Sequence, residues 1–554
     1  MPAMANGAKG QTDWNAVEWR QAMKSVRNLR QRIFRASAEG DHRTVRSLQK
    51  LMLRSYSNAL LAVRRVTQVN KGKSTPGVDK VVIRTPKARG ELVDQLMCHE
   101  PWTAKPARRV YIPKANGKQR PLGIPVIADR ARQAMVLNAL EPEWEARFEG
   151  ISYGFRPGRG CHDAIERIFT IARPPNKKEW VVDADIKGAF DNISHDHVLQ
   201  AIGLFPGREL VRQWLKAGYV EFGKWEPTES GTPQGGVASP LLANIALHGM
   251  EEALGIRYRK DRSKILGGRA LVRYADDFVI FCETRDDAEI AQETIRAWLG
   301  ERGLTLSEEK TRIVHLSEGF DFLGFNVRRY RAPQTSRSGW KLLIKPSKTA
   351  VKKQMHRLKA EWLALRGANA ETVVARLNPI IRGWANYHRI GVAKATFSKL
   401  DSWMYKRCVR WARYRHPTKT GDWLAKRYWG QKRKGREDKW VFGTAEQSLL
   451  KFSGTKIQRH VLVAGRASPE DARLREYWEK RRQARNSELP MKQKRLADRQ
   501  KGFCPYCQHS LHNGEDLHIH HDIWRSKGGS DDETNLRLIH KPCHQQIHGA
   551  KSQA

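Results

Sequence analysis

The stretch LVRYADDFVIF, residues 271–281, sets two adjacent carboxylates, Asp276 and Asp277, inside an otherwise apolar run. Burying ionised carboxylates without partners is too costly to be incidental. The run is therefore expected to break into strand, tight turn and strand, with both acids at the tip. A second acidic cluster, VVDADIKGAFDNISHD (181–196), opens on another apolar strand pattern, and Asp183 and Asp185, two residues apart, share one of its faces. Tip acids meeting a strand acid make an oxygen cage for hard cations such as Mg²⁺. Two such ions about 4 Å apart can activate a 3′-hydroxyl and stabilise a leaving pyrophosphate. A solvated Asp-Asp turn is the competing reading, and the apolar flanks and the upstream DxD strand weigh against it.

Charge names the partner class. The 554 residues carry 101 Lys and Arg against 58 Asp and Glu, a net +43, and a chain of this length divides into several domains. So large an excess of cations, spread through long sections with Trp and Tyr between them, points to nucleic acid rather than to an anionic membrane surface. No apolar run approaches the roughly 18 residues of a membrane span. The start, MPAMANGAKGQTDWN, lacks the apolar stretch of an export signal. The expected setting is a bacterial cytoplasm, in association with RNA and DNA.

Residues 14–70 read as helix, with Leu48, Leu51, Met52, Ser55, Tyr56, Ala59 and Leu60 keeping a 3.6-residue period. RRVYIPKANGKQRPLGIP (108–125) reads as a β-hairpin turning at Asn116-Gly117. Strands and helices alternate from 130 to 330, and residues 346–415 return to helix. Residues 401–440 hold 13 Lys and Arg against 4 Asp and Glu, interleaved with Trp and Tyr, and this mixture reads as a nucleic-acid surface.

The last tenth of the chain clusters Cys and His. Cys504-x2-Cys507 and His540-x2-Cys543 have the spacing of two halves of a closed tetrahedral zinc site. His520, His521, Asn535, His544 and His548 remain, and His544 and His548, four apart, share a helix face. A purely structural zinc ribbon explains the first set and leaves the surplus histidines unexplained.

Tyr-Ala-Asp-Asp in a hairpin, with DADIKGAFD upstream, resembles the palm of a reverse transcriptase. YIPKANGKQRPLGIP, SYGFRPGRG (152–160), GTPQGGVASPLLANI (231–245), LSEEKT (306–311) and GFDFLGF (319–325) resemble, in order, further blocks of group II intron reverse transcriptases. NPIIRGWANYHRIG (378–391) resembles their maturase, or X, domain, and the tail resembles an HNH endonuclease of ββα-metal fold. Together the motifs cover about 14–548.

The resemblance implies a multidomain α+β protein, a right-hand polymerase with a helical thumb, a basic DNA-binding segment and a ββα-metal HNH domain. The expected divisions are 1–80 for an N-terminal helical extension, 81–335 for fingers and palm, 336–430 for thumb and X domain, 431–495 for DNA binding and 496–554 for the HNH domain. Asp185, Asp276 and Asp277 would hold two Mg²⁺ ions; Asp185 is preferred to Asp183 because Phe190 then falls five positions later, where an aromatic guards the sugar 2′ position. Lys114 and Arg120 would hold the dNTP triphosphate, Gln234 would sit against the template–dNTP pair, and Lys310 near the pyrophosphate. In the tail, Zn²⁺ would sit on Cys504, Cys507, His540 and Cys543. His521 would be the general base, His520, His544 and His548 would hold a further divalent ion, taken as Mg²⁺, and Asn535 would brace the loop. The family usually has Cys where this chain has His540, so the division of histidines between the two metals stays open. The implied partners are intron RNA in a ribonucleoprotein, target DNA and dNTPs, with no membrane. The implied work is to assist splicing, nick DNA and copy intron RNA from the nick. The rivals are an RNA-binding splicing factor with little polymerase activity and a retron or diversity-generating reverse transcriptase.

Overall fold

The computed structural model describes residues 11–98, 100–113, 117, 119–259, 265–333, 339–430, 438 and 440–551. Three helices, Trp19–Ala38, His42–Leu53 and Tyr56–Arg64, open the chain. Each break has a local cause. Asp41 accepts from Thr44 N at 2.9 Å and caps the second helix, and Ser55 caps the third by accepting from Asn58 N. The helical reading of 14–70 is therefore divided, first after Ala38 and again at Arg54. Leu51 is exposed, to one side of the stripe that Val45, Leu48, Gln49 and Met52 bury on the second helix, while Ala59 and Leu60 are buried on the third. Asn58 fastens the break to the long helix Ile127–Arg147, donating to Met52 O at 2.9 Å and Met135 O at 3.2 Å.

The hairpin Ala107–Pro113 and Gln119–Ile124 forms as expected in antiparallel register, and its first strand also pairs with Tyr219–Glu221 in a four-stranded sheet. Four antiparallel strands make the central sheet, in the order Arg312–His315, Trp180–Asp185, Asp277–Cys282, Ala270–Tyr274. Both faces of this sheet are covered. Val182, Ala184, Phe278 and Ile280 belong to one apolar core, and Val181, Val272, Val279 and Phe281 to the other. Two covered faces explain why these strands are continuously apolar rather than alternating. Of the carboxylates here, Asp185, Asp276 and Asp277 sit where the strands end, and Asp183, inside its strand, is matched by Arg312.

The segment GFDFLGFNVRR forms a hairpin, Phe320–Phe322 and Phe325–Arg331, turning at Leu323 (φ 48°) and Gly324 (φ 80°). Trp340–Pro346 adds a third strand, so the expected division at 335/336 falls inside one sheet. Helices Lys348–Ala364, Ala370–His388 and Lys394–Arg415 follow. Tyr387 stacks on Phe325 at 5.4 Å and donates to Leu323 O at 2.8 Å, and buried His388 lies 4.8 Å from Phe325. These two rings seat the helical region on the hairpin.

The basic aromatic stretch divides by side. Trp411, Tyr428 and Trp429 are buried with Phe442, which corrects the expectation that this stretch is interleaved surface throughout. Lys406, Arg410, Arg413, Tyr414 and Arg415 stay exposed. Residues 456–463 then return to helix Cys161–Ala172, where Val463 N donates to Asp163 Oδ1 at 2.9 Å. The C-terminal module pairs Leu517–His521 with Leu536–His540 and closes with helix Lys541–Lys551, a ββα unit. Among the described residues no helix is long and apolar enough to cross a membrane.

Candidate functional sites

The central hairpin places its acids as the apolar run requires. Tyr274 and Asp277 close the turn, Ala275 takes the left-handed φ of 58°, and the register sets Asp185 directly opposite Asp277. Asp183 lies opposite Val279 and pairs with Arg312 at 3.1 Å. Asp185 instead pairs with Lys310 at 2.5 Å. Burial, then the Asp276 and Asp185 carboxylates, push the Asp277 carboxyl up to about 7. Burial and Asp185 also raise Asp276, while Arg120 and Lys310 pull the other way. The three acids thus form a partly buried cluster with more negative charge than its two nearby cations offset. That imbalance, and an all-oxygen donor set, fit a hard divalent cation.

Several groups missed by sequence reasoning hold the turn. Buried Arg273 donates to Ala275 O at 3.2 Å and to Asn244 Oδ1 at 3.0 Å, and Asn244 donates to Gly154 O at 2.9 Å. A Cβ on Gly154 would lie 2.4 Å from Ala275 N, so only glycine lets the SYGF segment reach the turn. Gly154 and Asn244 belong to the SYGF and LLANI blocks, whose contact with the acidic turn arises only in the fold.

The fingers-side residues converge less tightly. Arg120 is exposed on Gln119–Ile124, close enough for its charge to act on Asp276. Lys114 lies outside the described residues. Phe190 packs against Phe155, with ring centroids 6.1 Å apart. The TPQGG turn lies on the backbone of Phe190: Thr232 N donates to Phe190 O at 2.6 Å, and a Cβ on Gly231 would lie 2.5 Å from Asp191 O. Gln234 donates to Asp191 Oδ2 at 3.1 Å, and Gly123, Phe190, Asp191 and Gln234 line one small cavity.

In the ββα module two donor groups form, each with its ligand atoms within 4.8 Å of one another. One is Cys504, Cys507, His540 and Cys543, all buried, and the other is His520, His544 and His548. His540 Nε2 donates to Ser510 O at 3.0 Å, which turns Nδ1 toward the Cys507 and Cys543 sulfurs at 3.4 and 4.0 Å. Three thiols and one oriented imidazole suit a soft-tolerant tetrahedral ion. In the second group, burial and the adjacent His548, His520 and His518 rings hold His544 down to about 4, the neutral form a metal needs. His521 points elsewhere: its Nε2 lies 2.8 Å from Asp531 Oδ1, and Arg525 also grips Asp531. Asn535 accepts from Ile523 N at 2.7 Å and donates to Ile523 O and Ser530 O, bracing the intervening loop. Asp531, Arg525 and His518 were not anticipated.

Comparison with known proteins agrees with this layout. Residues 112–327 match the reverse transcriptase (RNA-dependent DNA polymerase) family, and 14–96 the N-terminal domain of reverse transcriptase. Residues 351–429 match the group II intron maturase-specific domain, and 504–549 the HNH endonuclease family. Protein YkfC of Escherichia coli is 37% identical over 52% of this chain and 85% of its own length. The group II intron-encoded protein LtrA of Lactococcus lactis is 32% identical over 57% of this chain and 62% of its own. A 91 kDa protein in the cob intron of Schizosaccharomyces pombe is 28% identical over 61% of this chain and 51% of its own.

Proposed function

Because this chain belongs to the group II intron-encoded reverse transcriptases that carry a maturase-specific domain and an HNH domain, we propose that it copies intron RNA into DNA, assists splicing of that RNA and nicks target DNA. The observation that carries the polymerase reading is the convergence of Asp185, Asp276 and Asp277, with Asp277 held near neutral pH in its titration. Divalent cations, assigned as Mg²⁺, would supply acidification of the primer 3′-hydroxyl and charge neutralisation at the triphosphate. The chain's own groups do the rest. Arg120 and Lys310 flank the acids and attract the incoming phosphates, with Lys114 assigned the same work. Gln234 and its glycine-lined turn abut the nascent pair.

Phe190 sets the sugar. A ring beside the 2′ position excludes a hydroxyl by contact, so Phe190→Ala is expected to weaken discrimination against ribonucleotides by roughly 10- to 100-fold. Competing dNTP and rNTP incorporation on one RNA template measures it, and unchanged discrimination would return Phe190 to a packing role.

In the tail we assign a structural Zn²⁺ to Cys504, Cys507, His540 and Cys543, and a divalent ion to His520, His544 and His548, where it would polarise a scissile phosphate. His521 is the proposed base for water. The proposed partners are intron RNA, held in a ribonucleoprotein, and target DNA. The exposed cations of 406–415 and of the maturase-specific region supply phosphate contacts. In this order of events the RNA inserts into one DNA strand, the HNH module cuts the other, and the palm extends that end.

The test is primer extension on an RNA template with Mg²⁺, run beside intron-RNA binding. Template-dependent cDNA supports the proposal. Tight RNA binding with no cDNA under any divalent ion would leave only the splicing role.

A further inference from the structure

The cysteine-rich module is fastened to the far end of the chain. Arg64, the last residue of helix Tyr56–Arg64, is 2% exposed, and its Nη2 donates to two acceptors of the module: Cys543 Sγ at 3.3 Å and Glu515 Oε2 at 3.0 Å. Trp19 lies under the guanidinium at 4.7 Å. Around this contact one apolar cluster joins Trp14, Trp19, Leu60 and Val63 to Leu511, Leu536, Ile539 and the four-donor cysteines. Gln546 donates to Asn15 O at 3.0 Å and to Val17 O at 3.2 Å.

We propose that Arg64 is part of the metal site without ligating it, so that loading zinc docks the HNH module onto the N-terminal helices. The proposal rests on reading Cys504, Cys507, His540 and Cys543 as a zinc site. Its physical basis is charge. Three thiolates and a neutral imidazole around a dication leave one net negative charge, and Arg64 is the buried cation that meets it through Cys543. A donor to a ligand sulfur also holds that sulfur in place, and loss of such partners typically weakens metal affinity 10- to 100-fold. Without metal nothing holds the Cys543 sulfur against the guanidinium, and Glu515 is the one of the two acceptors that Arg64 keeps in place. A buried guanidinium with half its acceptors gone favours separation of the two surfaces and rehydration. The nicking module would then be set at a fixed place on the N-terminal helices in the loaded protein and released in the metal-free one.

Hydrogen exchange of the wild-type full chain, with zinc and after chelation, reads the docking without any substitution. Chelation is expected to raise exchange at residues 56–66 and 14–20 as well as within 504–549. A rise confined to 504–549 would overturn the proposal. Zinc transfer to a chromophoric chelator then tests the residue: Arg64→Gln should release metal at least about 10-fold faster than wild type, with Arg64→Lys between them. Equal release rates in all three would overturn it. Protein purified without one equivalent of bound zinc would instead overturn the zinc assignment itself, and the docking proposal with it.

Discussion

Asp277→Asn is expected to abolish cDNA synthesis and, without divalent cations, to make the protein more stable at neutral pH. Activity should fall because a carboxylate facing Asp185 across the register is a proposed metal ligand. Loss of several kcal/mol of transition-state charge stabilisation, about 4 kcal/mol, corresponds to roughly 10³-fold in rate. Stability moves the other way for the same reason. Burial, Asp276 and Asp185 raise the Asp277 carboxyl from 3.8 to about 7 in the folded chain. A folded value above the unfolded one means that the folded state binds the extra proton. The stability tied to that proton is fully present below the unfolded value of 3.8 and is lost as pH rises through about 7. Asn carries no such proton, so the pH dependence should flatten, with a gain on the order of 2–4 kcal/mol at pH 8. Mg²⁺ should stabilise wild type strongly and Asp277→Asn weakly. Thermal melts of both proteins at pH 5 and pH 8, in chelator and in Mg²⁺, run beside primer extension, check every part. If Asn melts no higher than wild type in chelator at pH 8, the carboxylates are not a strained cation cage.

The same chemistry explains what could be read before any fold was known. Asp276 and Asp277 were legible because apolar flanks left them only the end of a hairpin, and the CxxC and HxxC spacings were legible because a metal demands them. The choice of Asp185 over Asp183 came only through the resemblance, from Phe190 five positions later, since both acids share a face; the register gives its physical reason, with Asp185 against Asp277 and Asp183 against Val279. Leu51 fits the helical period but is exposed, because its helix turns the stripe of Val45, Leu48 and Met52 to the core and leaves Leu51 beside it. Trp411, Tyr428 and Trp429 look like stacking platforms in a basic stretch, yet they fill a core with Phe442, thirteen or more residues on. Arg273, Asn244 and Gly154 support the acidic turn from three separate blocks, and Arg64 meets Cys543 from the opposite end of the chain. Pairings of that kind are products of tertiary packing and leave no local period to read.

His521→Ala should cut nicking of duplex DNA by roughly 10²–10⁴-fold, the usual contribution of a general base, while extension of a pre-annealed primer stays unchanged. The geometry gives the proposed base an orienting partner. His521 sits one residue after His520, whose ring faces His544 and His548, but its own Nε2 is held 2.8 Å from Asp531. An imidazole whose Nε2–H is fixed by a carboxylate leaves Nδ1 free to accept a proton from water. Asp531→Asn should therefore also slow nicking, by less than His521→Ala, since it loosens the ring without removing it. His544→Ala should weaken metal binding in the module, and excess divalent ion should restore part of its nicking but none of the His521→Ala loss. The paired assay on one duplex substrate and one primed template reads all of this. Equal loss of nicking and extension in His521→Ala would mean that the module is needed to hold the polymerase together. Normal nicking in His521→Ala would move the base elsewhere, with His518, on the same strand as His521 and 5.3 Å from the His544 ring, the next group to replace.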